Sequence, residues 1–200
     1  MAISLNTFFT VTPSTNFKSK AHVILLTEEL FFFVSDTNEL RVQNFGGSIS
    51  YTLATNAKWC AAIQDVALAH VYYADQSGQM YYIPYPNFGA TPTPQVISIG
   101  NVLTFSVLFA PQTTPPAYMI MTDDGINHNL FVASDPQFHS VTSSVRTYSN
   151  LVNPATYVTR PAIATHPLDT TRITVHCQQF TVLTSVSRVG FYVVKVLGLT

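Results

Sequence analysis

Six histidines and two cysteines are the residues best suited to metal or nucleophilic chemistry in this chain of 200 residues. His22, His70, His128, His139, His166 and His176 show none of the short spacings that ligate zinc, with one another or with Cys60 and Cys177. The best local group of ligand-type side chains is Asp123, Asp124, Asn127 and His128. A tight turn at Asp123-Asp124-Gly125 needs those residue types for its own backbone, so no metal and no cofactor is assigned there. Asp135, His139 and Ser140 supply the residue types of a hydrolytic triad, but without the strand geometry that gives such types a role. Glu28 and Glu29 are adjacent, and on a strand they point to opposite faces, so they cannot act as an acid/base pair. The hydrolase elbow, the helical zinc motif, the phosphate loop and the dinucleotide fingerprint are absent, and no catalytic residue is assigned. The expectation is that the chain is not an enzyme.

Aromatic side chains carry more information. Tyr81, Tyr82, Tyr85 and Phe88 gather around Pro84, and rigid rings in a proline-rich loop bury large areas at small entropic cost. Tyr82, Tyr85 and Phe88 are therefore interface candidates. So are Tyr192 and Val194 in the last apolar run, where Phe191 and Val193 occupy the opposite face and both faces need cover.

The elements that must position these residues read as strands. Short β-branched and aromatic runs alternate with Pro, Gly, Asn and Asp, which predicts an all-β, antiparallel sandwich of jelly-roll type in one domain spanning 1–200. Strand segments are expected at 3–11, 22–34, 48–54, 79–83, 96–109, 118–121, 129–133 and 138–148, and from Arg172 to the C-terminus. A change of apolar phase at Gln178-Gln179 predicts a bulge. Residues 57–69 depart from this pattern: Asn56 can cap a helix, and Trp59, Ile63, Val66 and His70 recur at helical spacing among alanines. A short helix is expected there. Proline-rich connections are expected at 84–95, 111–116 and 153–167. No internal repeat is visible in the residue pattern.

Composition bounds the partners. Hydrophobic residues make up 47% of the chain and charged residues 10%, against roughly 25% charged in an average globular protein. A surface so poor in charge points to burial against neighbouring chains, copies of itself or other proteins. The net charge is -1, and no lysine and arginine cluster offers a phosphate-binding footprint. No secretion signal or membrane-spanning segment is read from the sequence. Cys60 and Cys177 are expected as reduced core thiols, with a disulfide between them as the alternative.

In its Thr-, Val- and Pro-rich loops and its closing strand from Val189 to Leu199, the chain resembles coat and minor structural proteins of non-enveloped viruses. That resemblance implies a jelly roll, a homo-oligomeric or coat-protein partner and a place in the virion. It lacks the basic N-terminal arm by which many coat proteins hold their genome. The alternative is a lectin-like binding module that holds a sugar with Tyr85, Phe88 and the Asp123-Asp124 turn. Whichever holds, DNA or RNA should bind negligibly near physiological salt. Filter binding that is tight and falls steeply with added salt would contradict this.

Overall fold

The computed structural model describes residues 19–24, 29–44, 50–65, 68–85, 93–111, 116–141, 143–149, 157–165, 172–181 and 187–195. Side chains within several of these strands, most of the last three among them, lie outside the description. Among the described residues there are fifteen strands and no helix. The first sheet runs β1 (Ser19–Ile24), β2 (Glu29–Val34), β3 (Leu40–Asn44) and β4 (Ser50–Ala54). The second runs β5 (Ala57–Gln64), β6 (Ala69–Asp75), β7 (Met80–Tyr85) and β8 (Gln95–Ile97). The third runs β9 (Thr104–Ala110), β10 (Ala117–Asp123), β11 (Asn127–Ala133) and β12 (Arg146–Ser149). The fourth comprises β13 (Tyr157–Thr165), β14 (Arg172–Thr181) and β15 (Ser187–Lys195).

The chain is thus all-β and antiparallel, as its residue pattern predicts, and its sheets pack face to face as sandwich layers do. Jelly-roll connectivity is not seen. A jelly roll returns a strand to pair with one distant in sequence, whereas every described pairing joins sequence neighbours. The first strands also adjoin one another in succession, β1 with β5, β5 with β9 and β9 with β13. Consecutive meanders arranged in this way are the blade pattern of β-propellers. The repeat is one of structure, carried by sequences too divergent to show it.

Strand alternation builds three cores between successive sheets. Leu30, Phe32 and Val34 of β2 meet Ala69, Val71 and Tyr73 of β6. The other face of β6 sends Tyr72 and Ala74 against Phe105, Tyr118 and Ile120 of the third sheet. The other face of β10 sends Ala117, Met119 and Met121 toward Ile163 of β13. Strands β6 and β10 are therefore buried on both faces, apart from half-buried Asp75. Each fully buried large side chain contributes about 1.5–3 kcal/mol. For the second and third sheets, cover for two apolar faces comes from the chain itself rather than from a partner.

The expected helix at 57–69 is instead strand β5 up to Gln64 and, from Ala69, the start of β6, with residues 66–67 outside the description. A register shift between Ala57 and Trp59 puts Ala57 and Cys60 in the first core, while Trp59, Ala61 and Ile63 face the second. The alanines reflect the close approach of sheets on both sides of β5, which overrides their helix propensity. Trp59 Nε1 donates to Phe105 O at 2.8 Å, tying the second sheet to the third.

Five other expectations change. Residues 96–109 are not one strand but are divided between β8, which ends at Ile97, and β9, which begins at Thr104 in the next sheet. Residues 153–167 are not one loop, because β13 runs through Pro161 opposite Cys177; as an end strand of its sheet it tolerates a missing donor. No bulge forms at Gln178-Gln179, since the ladders on both sides of β14 keep an unbroken register. The segment 22–34 is two strands, with residues 25–28 outside the description. Residues 138–148 form strand only from Arg146, because Asp135 captures the amides of Gln137 and His139 in a turn. The expected strand at 3–11 lies outside the described residues, as does the side chain of Cys177, while Cys60 is buried in the first core.

Two hairpin turns repeat the same device. In Ser35–Glu39 and Asp75–Gln79 the fourth residue, Asn38 or Gly78, is left-handed, with φ of 64° and 87°. The first residue's side-chain oxygen accepts the fifth residue's amide, at 3.1 Å from Ser35 and 3.0 Å from Asp75. The left-handed residue then offers its carbonyl to the chain entering the next sheet: Asn38 O accepts from Ala57 N, the first residue of β5, at 2.7 Å, and Gly78 O from Val102 N, just before β9, at 2.9 Å. A Cβ on Gly78 would lie 1.7 Å from Asn101 Oδ1, whereas one on Gly100, also left-handed, would meet open space. Gly100→Ala should therefore cost about 1 kcal/mol in urea denaturation, from backbone conformation alone. Gly78→Ala should cost about 2–3 kcal/mol, and adding Asn101→Ala should recover part of the difference. Equal costs for the two glycines would contradict the clash.

Candidate functional site

One end of the seam between the second and third sheets gathers the polar chemistry. Asp65 follows β5, His70 opens β6, Tyr118 opens β10 and Asp135 lies just beyond β11. The pairing of Ala69 with Tyr85 brings the end of β7 to the same place. His70 is buried, and alternation aims its ring into the seam between Tyr82 and Tyr118.

These side chains form a continuous hydrogen-bonded chain. His70 Nε2 stands 2.6 Å from Asp65 Oδ2, which puts a proton on that nitrogen. In the neutral ring Nδ1 then accepts from Tyr82 Oη at 2.9 Å. Tyr118 Oη donates to Asp65 Oδ2 at 2.8 Å, and Leu68 N donates to Asp65 Oδ1 at 3.1 Å. Because Tyr118 belongs to the third sheet and the other side chains to the second, the network fastens the two together. Tyr72 Oη adds a bond to Pro136 O at 2.8 Å.

Electrostatics follow from burial. Burial pushes the Tyr82 hydroxyl up to about 12, helped by the negative charges of Asp65 and Asp135. The same cause, followed by neighbouring tyrosines and these two carboxylates, raises Tyr72 well above the ordinary range. Tyr118 is raised by burial first and then by its bond to Asp65. Asp135 thus lies close enough for its charge to reach three tyrosines of the seam. The site opens to solvent through Asp65, 18% exposed, and through Asp135 and His139, whose ring lies 3.2 Å from Asp135 Oδ1.

The sequence-level candidates divide accordingly. Tyr82 is 2% exposed and sits in the second core, so it is a member of this network and not a surface contact; its place on the inward face of a doubly covered sheet is the reason. Tyr85 ends β7, but its side chain, the whole of Phe88 and the side chains of Tyr192 and Val194 lie outside the described residues. The Asp123-Asp124 turn lies at the opposite end of the third sheet and is occupied by its own backbone: Asp123 Oδ1 accepts from Gly125 N, and Asp124 Oδ1 from Ile126 N and Asn127 N. His128 is buried beside Asp123 at 3.8 Å, and burial lowers its affinity for a proton. Among the described residues no group of three or more His, Cys, Asp or Glu side chains could hold a metal ion. Asp135 and His139 do meet, but as an exposed pair in a turn. Sequence reasoning missed Asp65 and Tyr118 and weighed His70 only as a metal ligand; the spacing of Asp65 and His70, five positions apart at the head of a strand, was the available signal.

No protein-family model and no curated protein matches the chain. Among solved structures it is similar to an endo-arabinase from Bacteroides thetaiotaomicron VPI-5482, at 11% identity and a TM-score of 0.56 over 90% of this chain and 76% of that one. It also aligns, at 8% identity and a TM-score of 0.42, with a chain from an S. cerevisiae complex of dbp5 with nup159 and gle1, covering 83% of this chain and 47% of that one. The first likeness is one of fold. The described residues include no helix long and apolar enough to cross a membrane.

Because the seam tyrosines hold their protons to higher pH when folded, the unfolded chain binds fewer protons than the folded one above about pH 10. Stability is therefore present in full below that pH and should fall as pH rises toward 12, the value reached by Tyr82. Tyrosinate absorbance from these residues should appear together with loss of near-ultraviolet circular dichroism, and Tyr82→Phe should make the alkaline loss less steep. Ionisation of every tyrosine near pH 10 in an intact fold would contradict the seam's burial.

Proposed function

We propose that this chain is a carbohydrate-binding module that holds a glycan, without cleaving it, at the exposed end of the seam between its second and third sheets. The observation that carries this reading is the Tyr82, His70, Asp65 and Tyr118 chain, which reaches the surface at the Asp65 carboxylate, at the end of the seam where the Asp135 charge also acts on the same tyrosines. The Asp65 and Asp135 carboxylates and the exposed His139 ring suit the hydroxyl groups of a sugar, with the buried tyrosines holding them in place. The likeness in fold to an endo-arabinase makes arabinose-containing glycans the first to test. Binding is favoured over hydrolysis by how fully Asp65 is engaged, both of its oxygens already accepting hydrogen bonds. Asp65 accepts from His70, Tyr118 and Leu68, and Asp135 from Gln137, His139 and the His139 ring. A glycosidase needs one carboxyl group ready to give a proton and another ready to attack or to activate water.

A second reading, assembly into a virus particle as a coat or minor structural subunit, is supported by the 10% charged composition and by outward-facing Val96, Ile126 and Val145. Sedimentation of the free chain as a monomer at high concentration would remove that support.

The binding reading is tested by a glycan array followed by titration calorimetry with arabino-oligosaccharides. Asp135→Asn, on the exposed side of the site, should weaken binding about tenfold, or about 1.4 kcal/mol, with the fold intact. No reducing sugar should be released on prolonged incubation. An array without a single bound glycan would end this reading, and release of sugar would replace it with an enzymatic one.

A further inference from the structure

We infer that Phe138 is the positioning residue of the seam site, locking the Asp135–His139 turn so that Asp135 and His139 face a ligand in one preset geometry. The inference rests on the binding reading above and adds the element that sets its geometry. Phe138 has a φ of 54°, in the left-handed region that a bulky side chain rarely adopts. What holds it there is visible. Its ring is 2% exposed in the second core and meets Tyr72 edge to face, with ring centres 6.3 Å apart at 84°. Its amide donates to Asp135 O at 3.3 Å, and its carbonyl accepts from Val141 N at 3.2 Å. The same tyrosine donates its hydroxyl to Pro136 O at 2.8 Å.

A turn belonging to the third sheet is thereby clamped from the second. Outside the clamp, Asp135 Oδ1 gathers Gln137 N at 3.0 Å, His139 N at 3.4 Å and His139 Nδ1 at 3.2 Å. The His139 side chain remains 66% exposed and that of Asp135 36%. A buried ring thus fixes two side chains that solvent reaches. Fixing contact groups before the ligand arrives reduces the ordering cost of binding. Phe138 touches no ligand in this scheme and acts only through the turn.

The experiment is Phe138→Gly, which accepts the left-handed conformation but has no ring to anchor it, with Phe138→Leu as the conservative variant. Hydrogen exchange at Gln137 and His139 should accelerate about tenfold or more in Phe138→Gly while β6 and β10 amides keep their protection. The dissociation constant for the arabino-oligosaccharide should rise about tenfold, and Phe138→Leu should fall between. Unchanged exchange at the turn overturns the inference. So does a loosened turn with unchanged affinity, and so does loss of protection in β6 and β10, which would make Phe138 an ordinary core residue. If the wild-type chain binds no glycan, the binding reading falls and takes the ligand half of this inference with it, while exchange still decides the anchoring.

Discussion

Burial of β6 and β10 on both faces is the constraint from which the rest of the molecule follows. A strand covered on both sides cannot alternate apolar with polar residues, so it reads as an unbroken apolar run. Ala-His-Val-Tyr-Tyr-Ala in β6 and Ala-Tyr-Met-Ile-Met-Thr in β10 are such runs. Within them even and odd positions go to different cores, which makes register strict: a slip of one residue would exchange two differently shaped surfaces at once. Small residues set how close the sheets come, and the alanines of β5 permit contact with the neighbouring sheets on both sides.

The same constraint explains the polar site. A titratable group placed on a doubly covered strand has no route to water except at a strand end, and it must find partners there. His70 lies one residue into β6 and satisfies both ring nitrogens within the seam. Tyr118 holds the equivalent place in β10 and supplies the bond across. The site is therefore a by-product of sheet stacking that has been left open on one side, where Asp65, Asp135 and His139 meet solvent.

Much of the secondary structure was legible because strand residues and turn residues are sharply separated in this chain. The turn at Asp123-Asp124-Gly125 and the strands around it follow directly from residue type. Residues 57–69 misled because alanine marks close sheet packing as well as helix, and a register shift after Ala57 disguised the two-residue period. The strand predicted at 138–148 forms only from Arg146, because a side-chain carboxylate takes the amide of His139 and the turn continues with Val141 N donating to Phe138 O. Jelly-roll connectivity could not be distinguished from successive meanders, since both place strands at similar spacing and differ only in which pairs form. The Asp65 site was hidden for a related reason: Tyr118 comes to it from 53 positions away, and nothing local announces that two sheets will meet there.

The left-handed carbonyl that links one sheet to the next bears on how such a chain acquires its structure. Antiparallel proteins usually fold slowly because they must close long loops before their contacts repay the cost. Here each described hairpin closes on its immediate neighbour, and a finished hairpin presents, through Asn38 or Gly78, a backbone acceptor for an amide at, or two residues before, the first residue of the following sheet. Assembly can proceed in the order of synthesis, each sheet serving as the template on which its successor condenses, in the manner of a linear repeat array.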